Sequence, residues 1–202
     1  MLTLDHIALT SATLQEGVDL VETALGVKLA VGGKHPLMAT HNRLLGLGDV
    51  YLEVIAIDPE ASTPAQPRWF DMDRFRGRPR LTNWIARTDD MDADLARSPQ
   101  GTGHPITLAR GDYRWTMAVP ADGILPFDNA FPALIQWLTP MHPTQALPDC
   151  GVRLKTLTIT HPQAAALRAA LTLHDPRIHI VQGDAKAMTA TFQTPNGDRS
   201  LP

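Results

Sequence analysis

The stretch LDHIALT, residues 4–10, decides the interpretation of the fold. It belongs to a longer run, residues 2–10, that is rich in Leu, Ile and Thr and therefore predicts a β-strand. Two consecutive polar residues, Asp5 and His6, interrupt this apolar run, although side chains of a strand alternate between two faces. The pair marks either the exposed edge of a sheet or a strand whose polar side chains point at something.

A helix is predicted directly after this strand. Residues 13–26 place apolar side chains about one helical turn apart. Thr13 and Glu16 occupy the two positions of a capping box, and Gly26 suits the position just after a helix. The apolar stripe consists of Leu14, Val18, Val21 and Leu25.

Three further strands complete a first unit. Residues 27–33 predict a short strand that ends in glycines. Residues 40–58 predict two strands joined at Gly48-Asp49, a dipeptide typical of hairpin turns. Residues 1–58 therefore have the predicted order β-α-β-β-β.

Similar element orders recur along the chain. Residues 59–80 contain four prolines in polar surroundings and are expected to form a linker. Residues 81–139 again predict β-α-β-β-β, and residues 152–194 predict an additional β-α-β-β unit. We expect these units to form one compact structural domain, which suits a chain of 202 residues.

Composition excludes several functional classes. The net charge of −3 gives no electrostatic reason to expect nucleic acid or an anionic membrane as a partner. Apolar runs are far shorter than the ~20 residues that span a bilayer. A single cysteine, Cys150, cannot form an internal disulfide, so we expect a reduced, cytoplasmic protein.

The first unit resembles a glyoxalase-like module of the vicinal oxygen chelate (glyoxalase/bleomycin resistance/dioxygenase) superfamily. The resemblance rests on LDHIALT, the helix and short strand after it, and HNRLLGLGDVYLEVIAIDP at residues 41–59. In this superfamily two βαβββ modules pair to form a curved sheet around a cavity. The resemblance implies an α+β fold, with paired βαβββ modules forming a curved mixed sheet around a cavity, plus an extra C-terminal βαββ unit.

The resemblance also implies a metal site. The first strand of such a module commonly supplies a metal-binding His and the fourth strand a Glu, which correspond here to His6 and Glu53. Imidazole and carboxylate suit Zn, Mn, Fe or Ni, and side chains on adjacent strands lie close enough to share an ion. Glu53 shares a strand face with Tyr51, and a lone carboxylate in so apolar a strand needs a partner. The alternative is that both polar residues meet solvent.

The strand that precedes Glu53 offers a third functional group. A two-residue turn at Gly48-Asp49 would bring Asn42 to the face of Glu53, whereas a three-residue turn would bring His41 there and place Arg43 opposite Glu53. His41 is the candidate catalytic acid or base, and Asn42, Arg43 and Tyr51 are candidate substrate-binding residues. A solvated strand start would equally explain this polar cluster.

The second unit offers weaker candidates. Asn83 on its first strand and Gln136 on its fourth stand where the resemblance implies further ligands, and both are interpreted as substrate-binding. Five aromatic residues could line the cavity or pack in the core: Trp69, Phe70, Trp84, Trp115 and Trp137.

Two functions follow from the resemblance. The first is a divalent-metal-dependent lyase, isomerase or dioxygenase that acts on a small oxygen-bearing substrate. The second is a metal-free protein of the same fold that binds or sequesters a small molecule. Paired-module proteins of this kind often form homodimers, although the third unit here competes for the surface involved.

Overall fold

The computed structural model describes residues 2–202. The first unit consists of β1 (Thr3–Thr10), α1 (Leu14–Leu25), β2 (Ala30–His35), β3 (Thr40–Gly46) and β4 (Tyr51–Ile57). The predicted capping box of α1 is confirmed, because Thr13 Oγ1 accepts from the Glu16 N–H and the Glu16 carboxylate accepts from the Thr13 N–H. Gly26 ends the helix in the left-handed region, with φ of 71°.

The second unit has its strands and its main helix in the same order as the first unit. It consists of β5 (Arg80–Arg87), α2 (Met91–Arg97), β6 (His104–Arg110), β7 (Tyr113–Val119), a short turn α3 (Pro126–Asn129) and β8 (Ala133–Trp137). Before it, the segment expected to be a linker contains a 3₁₀ helix, Trp69–Arg74, whose Trp69, Phe70 and Met72 side chains are buried. Part of that segment is therefore packed against the protein.

The C-terminal elements form a separate sheet. After a short helix α4 (Pro143–Ala146), the chain forms β9 (Arg153–His161), α5 (Ala164–Ala170), β10 (Ile178–Gln182), β11 (Ala187–Thr194) and β12 (Gly197–Leu201). The final strand, β12, lies beyond the predicted βαββ unit and pairs with β11. Within residues 2–202, no helix combines the length and the apolar character needed to cross a bilayer.

The two modules share one curled sheet. Its strand order is β2-β3-β4-β1-β5-β8-β7-β6, and the modules meet where β1 and β5 pair antiparallel. Each half has its first strand parallel to its fourth, β1 to β4 and β5 to β8. The curl brings the two edge strands, β2 and β6, into contact. This arrangement is the predicted α+β fold with paired modules around a cavity.

The eight-stranded sheet separates two hydrophobic cores. Alternation sends Trp84 to one face of β5 and Ile85 to the other. The Trp84 core is continuous with α1 and with the four-stranded sheet, whose order is β10-β9-β11-β12. The Ile85 core lies on the concave face, together with Trp69 and Trp115. The site is built on this concave face.

Candidate functional site

The concave face holds a small, partly open cavity of about 30 Å³. It is smaller than the ~300–1,000 Å³ of typical small-molecule sites, so a ligand larger than a few atoms would need its side chains to move apart. Polar side chains come mainly from the first module, whereas aromatic side chains come from both modules and from the segment between them. The polar lining includes His6, His35, Asn42, Glu53 and Arg110.

A β-bulge in β1 explains the Asp5-His6 pair. Leu4 pairs with Ala86 and His6 pairs with Ile85, so β1 has one extra residue, Asp5, between these pairs. Two residues of the bulged strand then oppose one residue of its neighbour. The side chains of consecutive residues consequently lie together, and His6 Nδ1 hydrogen-bonds to Asp5 Oδ1 at 2.6 Å.

Asp5 is the centre of a buried hydrogen-bonded cluster. Besides His6, its Oδ2 accepts from Trp137 Nε1 and bonds to His142 Nε2, both at 3.0 Å. Burial alone would raise the pKa of this carboxyl, but the hydrogen bonds from His142 and His6 outweigh it and hold the pKa well below its usual range. Asp5 therefore stays ionised and ties β1 to β8 and to the start of α4.

The second ring nitrogen of His6 faces Glu53. β1 and β4 run parallel, with Ala8 beside Glu53 and His6 beside Tyr51, and the His6 Nε2 to Glu53 Oε2 distance is 3.6 Å. Burial lowers the pKa of His6, but the two carboxylates, Asp5 and Glu53, outweigh it and raise that pKa to about 9. The Tyr51 ring stacks on the imidazole, with centroids 4.3 Å apart.

Asn42 holds Glu53 in place. Its Nδ2 donates to Glu53 Oε1 at 2.6 Å, and its Oδ1 accepts from the Gly33 N–H at 2.8 Å. Burial would raise the pKa of Glu53, but His6 and Asn42 lower it to about 2. The hairpin pairs Leu44 with Glu53, which is the register of the two-residue turn, and this brings Asn42 to the cavity.

His41 lies on the other face of the sheet. It pairs with Ala56, and it lines a separate depression with Lys34 and Arg43 beside the start of α1. Of the two registers that the sequence left open, the structure has the one that pairs Leu44, not Arg43, with Glu53. Alternation along β3 then places Asn42 on the cavity face and its neighbours His41 and Arg43 on the other face. The structure therefore does not bring His41 or Arg43 to His6 and Glu53, and neither enters the site described below.

Gln136 also points away from the cavity. Its Oε1 accepts from the Met91 N–H at 3.1 Å and its Nε2 donates to the Asp89 carbonyl at 3.0 Å, so it supports the start of α2. Its neighbours, Ile135 and Trp137, line the cavity instead. The structure thus places Gln136 on the strand face opposite the cavity, between two residues that line it.

Asn83 is brought to the concave sheet face but not to the cavity lining. It pairs with Ala8, whose other neighbour is Glu53. Asn83 is fully buried, and neither its Nδ2 nor its Oδ1 has a hydrogen-bond partner within the part of the chain that the structure describes. In the matching place of the second module, Ala133 pairs with Ile85 as Glu53 pairs with Ala8. The second module thus contributes no carboxylate there.

Aromatic side chains form the apolar part of the cavity wall. Of the five aromatic candidates, Trp84 lies in the opposite core. The other four line the cavity: Trp69, Phe70, Trp115 and Trp137. Such a wall suits an apolar or planar portion of a ligand.

His35 is a buried, neutral imidazole at the edge of this cavity. Its Nδ1 shares a hydrogen bond with Thr40 Oγ1 at 3.1 Å, and its ring meets those of Trp69 and Trp115 edge-on. Burial lowers the pKa of His35 from 6.5 to about 4. Folding therefore opposes protonation of this group.

We expect acid to destabilise the metal-free protein through His35. In the unfolded chain this imidazole binds a proton below about pH 6.5, whereas in the folded chain it does so only below about pH 4. Between these two pH values the proton binds to the unfolded chain alone. The free energy of unfolding therefore falls as pH falls through this window. The full loss is about 3 kcal/mol, at ~1.4 kcal/mol per pH unit. Urea unfolding between pH 6.5 and 5 measures about half of this loss, at pH values above the range in which Glu53 contributes.

The matched comparison for this pH effect uses two variants. In His35→Gln the fall in stability between pH 6.5 and 5 should be strongly reduced, whereas in His104→Gln, on an exposed residue, it should persist. An unchanged pH slope in His35→Gln would show that another group causes it.

The spacing of His6 Nε2 and Glu53 Oε2 can be compared with the bond lengths of a divalent metal ion. His6 Nε2 and Glu53 Oε2 are separated by 3.6 Å, less than the ~4.2 Å sum of two metal–ligand bonds, so one ion can contact both. Asp5 bonds to the other ring nitrogen, as outer carboxylates do behind metal-bound imidazoles. Among residues 2–202 no group of three His, Cys, Asp or Glu residues surrounds one point. Two protein donors are fewer than the three that catalytic zinc sites usually supply, so an ion held here would take most of its ligands from substrate or water.

Comparison with known proteins identifies the class. A family model described as a glyoxalase-like domain matches residues 4–173, and the chain belongs to this family, within the vicinal oxygen chelate superfamily. A search of curated proteins gave no match.

Solved structures resemble this chain to different extents. A hypothetical protein from Staphylococcus aureus superposes with a TM-score of 0.67 at 16% identity, over 93% of this chain and 88% of that one. A methylmalonyl-CoA epimerase from Streptomyces coelicolor in complex with 2-nitronate-propionyl-CoA is 18% identical, with a TM-score of 0.46, over 67% of this chain and 97% of that one. The methylmalonyl-CoA epimerase from Mycobacterium tuberculosis is 20% identical, with a TM-score of 0.43, over 66% and 85%.

Proposed function

We propose that this protein is a divalent-metal-dependent enzyme that acts on a small oxygen-bearing substrate in the concave cavity. His6 and Glu53 would hold the ion. The observation that carries the proposal is that His6 Nε2 and Glu53 Oε2 face each other at 3.6 Å within the cavity, with Asp5 bonded behind the imidazole. The class of reaction would be a lyase, an isomerase or a dioxygenase.

Each residue of the cluster has a separate task in this proposal. Asp5 fixes the orientation of His6 and keeps a proton on Nδ1, so that Nε2 would be the ligating atom once the proton it shares with Glu53 is released to solvent. Asn42 occupies Glu53 Oε1 and leaves Oε2 for the ion. When bound, the ion would act as a Lewis acid that stabilises negative charge developing on a substrate oxygen. The aromatic wall excludes water from that oxygen.

A second candidate function is metal-free binding of a small molecule. It is favoured by the same cluster, because a protonated His6 between Asp5 and Glu53 already balances charge, and Asn42 already satisfies Glu53 Oε1. In that case the cavity would select its ligand by shape and hydrogen bonding, with no chemical step.

Metal titration separates these two functions. Protein stripped with a chelator should bind about one equivalent of Mn²⁺ or Zn²⁺ by calorimetry, and Glu53→Gln and the double variant His6→Ala, Glu53→Ala should bind none. At a free metal concentration a hundred times the dissociation constant, the wild type should gain about 2.7 kcal/mol of stability. Circular dichroism establishes that each variant is folded.

The matched control is His41→Ala, which removes an imidazole from the opposite face of the sheet and should leave metal binding unchanged. Wild-type protein that neither binds Mn²⁺ or Zn²⁺ nor gains stability with either would exclude the metal-dependent enzyme and leave the metal-free function.

A further inference from the structure

One cation of the cavity has no role in the cluster described above. Arg110, the last residue of β6, lines the cavity and is partly buried. Within residues 2–202 no Asp or Glu carboxylate lies within ion-pair distance of its guanidinium. A guanidinium carries five N–H donors, so most of its hydrogen-bonding capacity remains available.

The Arg110 side chain is directed toward the side of the cavity that contains Asn42 and Glu53. Its Nη1 lies 3.4 Å from Asn42 Oδ1, and Asn42 is the residue that holds Glu53. Its guanidinium also lies over the ring of Tyr113, 5.9 Å from the centroid. These contacts fix the positive charge beside the cavity while leaving it without an anionic partner.

The path of this side chain depends on a glycine in the opposite edge strand. A Cβ placed on Gly33 of β2 would lie 2.5 Å from Arg110 Cδ. Arg110 therefore crosses the contact between β2 and β6 at a position where any larger residue would require the arginine side chain to shift. Gly33 also donates its N–H to Asn42, so the same residue positions both groups.

We propose that Arg110 binds a carboxylate of the substrate, and that the substrate is therefore a small carboxylic acid with an apolar or aromatic portion. The inference deepens the proposed function, since it takes the cavity to be the substrate site. Arginine binds carboxylates through paired hydrogen bonds, and a partly desolvated guanidinium favours an anion over a neutral ligand of the same shape. Trp115 and Trp137 provide the surface for the apolar portion.

Binding of simple probes tests this assignment. Benzoate and phenylpyruvate are titrated against the chelator-treated protein and followed by tryptophan fluorescence, with benzamide as the neutral counterpart of benzoate and phenyl phosphate as the phosphate counterpart. We expect at least one of the two carboxylates to bind at millimolar concentration. Benzoate should bind about ten- to a hundredfold more tightly than benzamide, as charge-assisted hydrogen bonds imply. Phenyl phosphate should not surpass the carboxylates.

Three variants assign the selectivity to Arg110. Arg110→Gln should abolish the preference for benzoate over benzamide. Gly33→Ala should weaken it by displacing the arginine side chain. Arg114→Gln, on an exposed arginine of the adjacent strand β7, should leave it unchanged.

Several results would overturn the assignment: no binding of either carboxylate, equal binding of benzoate and benzamide, a preference that survives in Arg110→Gln, or tighter binding of phenyl phosphate. The test is separable from that of the metal. Carboxylate selectivity lost in Arg110→Gln, in a protein that binds no metal, would support the Arg110 assignment and contradict the metal-dependent enzyme. Metal binding without carboxylate selectivity would do the reverse.

Discussion

Replacing Asp5 with alanine is expected to lower the free energy of unfolding by about 3–5 kcal/mol. The carboxylate is buried and is bonded to three side chains, His6, Trp137 and His142, which its removal would leave without their partner. Removal of one partner from a buried ionic cluster costs about this much because the remaining polar groups stay desolvated. Urea unfolding at neutral pH, with chelator present, measures the change by linear extrapolation.

Two further variants test whether the loss of stability comes from the hydrogen-bonded cluster or from the removal of any carboxylate. Asp5→Asn keeps one acceptor oxygen and should lose less stability than Asp5→Ala. Asp92→Ala, on an exposed carboxylate of α2, should change stability by less than about 0.5 kcal/mol. A loss below 1 kcal/mol in Asp5→Ala would mean that His6 and His142 find other partners.

Replacing Trp84 with alanine should cost a similar amount, about 3–5 kcal/mol, through a different mechanism. Trp84 is fully buried in the core between the eight-stranded sheet and the C-terminal elements, and its Nε1 donates to the Ala130 carbonyl at 2.8 Å. The truncation would leave a large void and an unpaired carbonyl. Equilibrium unfolding by urea, followed by circular dichroism, provides the measurement.

Trp84→Phe is the matched control, since it retains most of the volume and loses mainly the hydrogen bond, so it should lose much less stability. The same experiment tests whether the three units form one compact domain. Because the Trp84 core contains residues of both sheets, such as Leu9 and Phe192, we expect one unfolding transition in wild type and variants. Two separate transitions, of which Trp84→Ala shifts only the first, would show that the C-terminal elements unfold separately.

Structural features that depend on residues close together in the chain were predicted correctly from the sequence. The capping box of α1 uses residues three positions apart, and Gly26 ends the helix by its own backbone preference, so both could be found without the fold. The hairpin at Gly48-Asp49 was also found, but not its register. The register determines whether Asn42 or His41 meets Glu53, and it depends on the length of the turn and on which face is buried, which the dipeptide alone does not give.

Other features of the site depend on contacts between distant parts of the chain. Trp137 and His142 reach Asp5 only because the modules pair and the chain before α4 folds back. Arg110 meets Asn42 only because the sheet curls until β6 contacts β2. No spacing in the sequence predicts these encounters. The consecutive polar residues Asp5 and His6 were the one available signal, since adjacent polar residues in a buried strand are compatible with a bulge.

The bulge in β1 also limits how the length of this segment can vary. Deletion of one residue between Leu4 and Ile7 would restore simple alternation and leave a single side chain where Asp5 and His6 now act together. Insertion of one residue would rotate either the cluster or the apolar residues after it to the wrong face. Substitutions in this strand act on single side chains, whereas a change of length by one residue would dismantle the site as a whole.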